Sequence, residues 1–134
     1  MKMAIVVCVF VAGFGAGLAG TPSSKVLTGF KRDYPAATVV TWERESKAYE
    51  ANFTLDGTKM SALYDAQGKQ IEWERAVSTS ALPAAVLKSV AVQFPSKKMK
   101  DAALITRADG REYYEVEIDG KDHYYDSSGK SVKP

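Results

Sequence analysis

The sequence predicts an α+β protein built as two tandem repeats, each a helix followed by a four-stranded antiparallel sheet, with the helices on one face of the sheet. Three observations predict it. A set of landmarks recurs about sixty residues apart, two apolar stripes of helical spacing each end at a proline, and runs of period-two alternation are separated by Asp-Gly turns.

The chain opens on a different composition. Met1-Lys2-Met3 gives a short positive start, Ala4 to Phe14 is continuously apolar or small, and Gly15 to Gly20 is rich in small residues. That order reads as a secretory leader over residues 1–19, cut after Ala19, with Gly17 and Ala19 as the small residues a peptidase needs. The apolar run is shorter than the roughly 20 residues that span a bilayer, so no stable membrane span is expected after cleavage. Cys8, the single cysteine, would leave with the leader, so the remaining domain, residues 20–134, would have no thiol chemistry and no disulfide. Loss of Lys2 lowers the formal charge of +2 by one, which gives no global attraction to nucleic acid.

The repeats are expected at about 24–77 and 82–134, joined by Ser78-Thr79-Ser80. Val26-Leu27-x-x-Phe30-x-x-x-Tyr34-Pro35 returns as Val86-Leu87-x-x-Val90-x-x-x-Phe94-Pro95. Tyr64-Asp65-x-x-Gly68-Lys69 returns as Tyr125-Asp126-x-x-Gly129-Lys130, and Asp56-Gly57 as Asp119-Gly120. The first helix is read from about Ser24 to Tyr34, with Ser23 or Ser24 as its cap. The second starts behind Pro83, a residue that a first helical turn accepts, and Pro95 stops it.

The alternation then assigns two faces. In the first repeat Tyr49, Ala51, Phe53 and Leu55 oppose Glu50, Asn52 and Thr54, and in the second Tyr114, Val116 and Ile118 oppose Tyr113, Glu115 and Glu117. Asp56-Gly57, Asp109-Gly110 and Asp119-Gly120 read as two-residue type I′ hairpin turns. The Asp-x-x-Gly stretches at 65–68 and 126–129 read as longer turns.

The ordered set Trp42-Glu43, Tyr49-Glu50-Ala51-x-Phe53, Ala62-x-Tyr64-Asp65-x-x-Gly68, Leu82-Pro83, Phe94-Pro95, Tyr114-Glu115-Val116 and Tyr125-Asp126-x-x-Gly129 resembles the PepSY-like, β-lactamase-inhibitor-like family of small periplasmic proteins of Gram-negative bacteria. The resemblance covers nearly all of residues 20–134. It departs after the first Asp-x-x-Gly turn, where relatives place an aromatic and this chain has Gln70 and Ile71 before Trp73. It implies a helix-plus-sheet repeat, export to the cell envelope and a non-catalytic, inhibitor-like binding role. Fold likeness alone transfers no partner.

The residues themselves give no catalytic set, and no cofactor or metal ligand set is expected. Gly15-x-Gly17-x-x-Gly20 has the spacing of a dinucleotide loop but lies in the leader, with no strand before it. Gly129-Lys130-Ser131 lacks the earlier glycine of a phosphate loop and reads as a turn. His123, the one histidine, is assigned to the helix-covered side, and Asp122 and Asp126 to the other, so they do not converge on an ion. Trp42 and Trp73 follow the core parity of Val40 and Ile71. Lys97, Lys98 and Lys100 read as a solvated connection.

The open sheet face remains. Strand parity places Glu43, Glu50, Glu72, Glu74, Glu115, Glu117 and Asp122 there, beside Tyr113 and Tyr124. Such a solvated, acidic, tyrosine-bearing face would take a basic segment of a protein or peptide of the cell envelope, with Tyr113, Tyr124, Glu115, Glu117, Glu50, Glu72 and Glu74 as its contacts. The alternative is a sensor or buffer that holds cations on the same carboxylates.

Overall fold

The computed structural model describes residues 20–134. The expected leader, with Cys8 and its glycines at 15 and 17, lies outside them. Among the described residues the order is α1 (Ser24–Asp33), β1 (Thr38–Glu45), β2 (Ala48–Leu55), β3 (Thr58–Tyr64), β4 (Gln70–Val77), α2 (Ala84–Gln93), β5 (Met99–Arg107), β6 (Glu112–Ile118) and β7 (Lys121–Tyr125). A short 3₁₀ turn, Thr79–Ala81, precedes α2. The α+β class with antiparallel strands is as the sequence predicts. The chain forms two compact units that divide between Glu74 and Arg75.

In the first unit α1 starts where the Ser23 hydroxyl accepts the Val26 N–H at 3.4 Å. It stops at Tyr34, whose N–H donates to the Phe30 carbonyl at 2.8 Å; the following Pro35 disfavours helical backbone at Tyr34. Lys31 and Arg32 fill the last turn, where cations oppose the helix dipole favourably. Val26 and Phe30 are buried against Ala51, Phe53, Met60, Ala62 and Tyr64, with Trp42, Tyr49, Leu55 and Trp73 around them. Full burial of a side chain such as Val26 contributes about 1.5–3 kcal/mol. The Phe30 ring meets Trp42 and Phe53 nearly edge-on, at 5.2 and 5.1 Å between centroids. Both tryptophans thus sit with the core, as their parity indicates.

The strand register carries the alternation across the unit. Trp42 on β1 pairs with Ala51 on β2, which pairs with Ala62 on β3, all on the helix side. One residue along, Glu43 pairs with Glu50 and Glu50 with Leu63 on the other side. Asp56 and Gly57, at φ 49° and 78°, make the expected type I′ turn. The Asp65 carboxylate accepts the N–H groups of Gln67 and Lys69 at 2.9 and 3.0 Å, which closes the longer turn into β4.

The second unit uses the same parts. α2 ends at Phe94, whose N–H donates to Val90 at 2.8 Å. Val86 and Val90 are buried with Leu82, Ala102, Val116, Ile118 and Tyr125. The hydroxyls of two matched tyrosines reach the two helix ends: Tyr64 donates to Asp33 at 3.0 Å, and Tyr125 to Gln93 at 2.9 Å.

Two expectations need correction. Asp109-Gly110 is not a two-residue turn. Gly110 N–H donates to the Arg107 carbonyl and Arg107 N–H to the Arg111 carbonyl, both at 2.9 Å, and only Gly110 is left-handed there. The Asp109 carboxylate accepts the Arg111 N–H at 3.0 Å, and Asp109 lacks the positive φ that a type I′ turn needs at both central residues. The second unit also lacks a fourth strand of its own after the Asp126–Gly129 turn. A single bridge, Tyr125 to Ser131, and a Val132 N–H bond to the Tyr124 carbonyl at 2.9 Å take its place. Lys130 to Pro134 contain one apolar side chain besides proline, Val132, too little alternation to hold a strand on the core.

Candidate functional site

The sheet face away from the helix carries the residues singled out from the sequence, and each unit presents its own set. In the first unit the carboxylate oxygens of Glu43, Glu45 and Glu50 approach within 4.8 Å of one another, close enough to share an ion. Burial pushes the Glu45 carboxyl above its ordinary pKa, and the neighbouring Glu43 adds to that. Glu72 and Glu74 lie on β4 at the parity opposite Trp73.

In the second unit Glu115 pairs with Ala103 on one side and Tyr124 on the other, while Tyr113 pairs with Ile105. The Tyr113 and Tyr124 rings meet edge to face, 6.0 Å apart at 73°, the arrangement the aromatic quadrupole favours. The Arg107 guanidinium donates to the Tyr113 hydroxyl, 3.2 Å from Nη2. Glu117 pairs in register with Asp122 and holds Lys100 at 3.4 Å. Burial, then Glu117, raises the Asp122 carboxyl above its usual range.

The face is not the solvated surface expected from the sequence. Glu50, Glu72, Glu74 and Glu115 are only 4, 6, 1 and 6 % exposed, and Tyr113 only 7 %. The reason lies in their neighbours. Leu63, Ala103 and Ile105 are buried on this same face, and side chains on adjacent strands stand about 5 Å apart, close enough to shield one another. Tyr124, Glu117 and Asp122 stay half-exposed. The missed signal is the break in alternation at Ala62-Leu63 and at residues 102–105, where successive residues facing both sides are apolar. Arg107 was likewise not anticipated as part of this face.

Of the remaining candidates, His123 and Lys97 fall where the sequence put them and Asp126 lies in its expected turn, whereas Lys100 lies inside β5 and not in the connection before it. His123 pairs with Val116 and packs its ring 4.4 Å from Phe94, on the helix side. Asp126 accepts from the Ser128 and Lys130 N–H groups, at 2.9 and 3.1 Å, inside its turn. Lys97 pairs with Asp119 at 2.9 Å.

A family model described as "Putative beta-lactamase-inhibitor-like, PepSY-like" matches residues 22–72 and 55–133. The chain belongs to this PepSY-like family. Three solved structures from Bacteroides share the fold of this PepSY-like chain. One, described as "putative periplasmic", comes from Bacteroides eggerthii, with TM-score 0.78 and 16% identity over 85% of this chain and 88% of that one. A DUF2874 family protein from Bacteroides uniformis has TM-score 0.77 and 16% identity, over 84% and 88% of the two chains. A BLIP-like protein from Bacteroides fragilis has TM-score 0.69 and 22% identity, over 84% of each. No curated protein matches. Among the described residues, no helix is long and apolar enough to cross a membrane.

Proposed function

We propose that this PepSY-like chain is an exported, non-catalytic binding module that inhibits or sequesters a protein or peptide of the cell envelope through its helix-free sheet face. The observation that carries the reading is the packed Tyr113–Tyr124 pair flanked by carboxylates. Aromatic anchors held rigid before binding lose little entropy on association. Burial divides the labour in the second unit: Tyr124, Glu117 and Asp122 offer the contact surface, while Tyr113 and Glu115 form the floor beneath. In the first unit Glu50, Glu72 and Glu74 are the buried carboxylates of its own helix-free face. The periplasmic description of the Bacteroides eggerthii structure and the inhibitor-like family description support the reading. Its test is capture of a partner from a native envelope extract, followed by Tyr124→Ala and Glu117→Gln. Both variants should keep the wild-type circular dichroism and lose the captured partner; retention of the partner by the double variant refutes the site.

The convergence of Glu43, Glu45 and Glu50 favours a second reading, cation binding as a sensor or buffer. Titration calorimetry with Ca²⁺ would show heat that Glu43→Gln abolishes. Silence removes the second reading and leaves the first intact.

A further inference from the structure

We propose that β1 accepts an extended peptide as an added strand along Thr41–Glu45, with lysine or arginine side chains seated beside Glu43 and Glu45. The inference rests on the reading that this chain binds a polypeptide, but it places the contact on a strand edge rather than on the face. Among the described residues β1 stands at the end of the strand order and pairs with β2 alone, so its backbone groups on the other side can take a new ladder. The last strand of the second unit is different, because Ser131 and Val132 already bond along β7.

Local geometry sets the length of the docking segment. The register slips between Thr38 and Thr41, with Val39 left-handed at φ 52° and 80% exposed. A β-branched residue seldom takes that backbone, and the bulge it makes ends regular pairing at Thr41. Five residues, Thr41–Glu45, are left in straight register with β2.

Alternation then sets the chemistry of the occupant. Trp42 borders the first core, so the residue added beside it meets an apolar lip. Arg44, whose guanidinium stands 5.8 Å from the Tyr49 ring centroid, shares that side. Glu43 and Glu45 point the other way, where their carboxylates converge with that of Glu50. An added strand with cations at two alternate positions complements them, because opposite charges across a strand pair attract and like charges repel. Charged side chains also guard edges against unwanted pairing. Here the guard is selective, since it repels acidic strands and draws in basic ones.

The probe is a labelled, acetylated eight-residue peptide that alternates lysine with valine and threonine, titrated against the whole chain at low salt by fluorescence anisotropy. Two versions carry backbone N-methyl groups on one or the other set of alternate residues. An added strand bonds along one edge only, so one version should bind like the parent and the other should lose binding at least tenfold. Glu43→Gln with Glu45→Gln should weaken the parent peptide by about threefold to twentyfold, and replacing its lysines by glutamate should abolish binding. Lys133→Ala, an exposed change in the second unit, should leave the affinity unchanged. Equal binding of the two N-methylated peptides, indifference to the Glu43 and Glu45 substitutions, or absence of binding by the parent peptide overturns the inference. Binding that falls with Tyr124→Ala and Glu117→Gln, yet ignores Glu43 and Glu45, overturns the edge and upholds the face.

Discussion

Gly68→Ala should cost far more stability than Gly57→Ala, although both glycines occupy left-handed backbone, at φ 81° and 78°. At Gly57 an added Cβ meets nothing within 4 Å, so the substitution bears only the left-handed penalty, about 1–2 kcal/mol. At Gly68 the same atom would lie 2.3 Å from the Lys25 carbonyl oxygen and 2.8 Å from its carbon. Both are helix backbone and cannot swing aside as a side chain would, so α1 itself must back away from the turn. Overpacking of this kind adds about 1–3 kcal/mol, which brings Gly68→Ala to about 3–4 kcal/mol and the gap between the variants to about 2 kcal/mol. Urea unfolding followed by the fluorescence of Trp42 and Trp73, which both border the first core, reads this directly. The two midpoints should differ by roughly 1 M for a urea slope of about 1–3 kcal/mol/M. Coincident midpoints would refute the argument that the turn glycine sets how closely α1 seats. The second unit poses the same contact with a different residue, since a Cβ on Gly129 would lie 2.3 Å from the Ala85 carbonyl oxygen. There the Ser89 hydroxyl donates to the Gly129 carbonyl at 2.6 Å, in the place that Gly29 takes on α1.

Three further outcomes are expected. Val39→Asn should stabilise the chain by about 1 kcal/mol, because asparagine tolerates left-handed backbone and Val39 buries little; thermal unfolding would show a higher midpoint. Tyr64→Phe should cost more than Tyr125→Phe, about 1.5–3 against about 0.5–1.5 kcal/mol, since the first loses a bond to the Asp33 carboxylate and the second one to the Gln93 amide oxygen; paired urea titrations compare them. The Ser128 hydroxyl, with the Lys130 and Ser128 N–H groups, holds the Asp126 carboxyl below its usual range. A depressed carboxyl stabilises the fold above its unfolded pKa, and that stability fades as pH falls through the folded value. Wild type should therefore exceed Asp126→Asn in urea midpoint at neutral pH, and the difference should close as the solution is taken well below pH 4.

Much of this fold was legible because it is written locally. The stripe of Val26 and Phe30, the alternation through Tyr49–Leu55 and the Asp56-Gly57 turn each depend on residues within a few positions of one another. The turn at Ser46, left-handed at φ 54°, carries no glycine or asparagine and was not foreseen; pairing of Glu45 with Ala48 imposes it from the flanking strands. The bulge at Val39 is likewise dictated by how β1 meets β2 and not by its own sequence. For the candidate site, parity correctly assigned Glu50, Glu115 and Tyr124 to the helix-free face. Their depth was hidden, because it depends on Leu63, Ala103 and Ile105, side chains on other strands whose proximity only register reveals.

The helix of the first unit is moored twice: near its start by the bare backbone of Gly68, which passes under Lys25, and at its end by the Tyr64 phenol on Asp33. Neither mooring uses a side chain from the opposite surface of the strands. The exposed positions of that surface can therefore drift in sequence, be re-tailored for another partner, or be randomised in a library, without unseating the element behind it. A frame of this kind can keep its outline when few of its amino acids are held in common, as the 16% identity to the Bacteroides eggerthii structure illustrates.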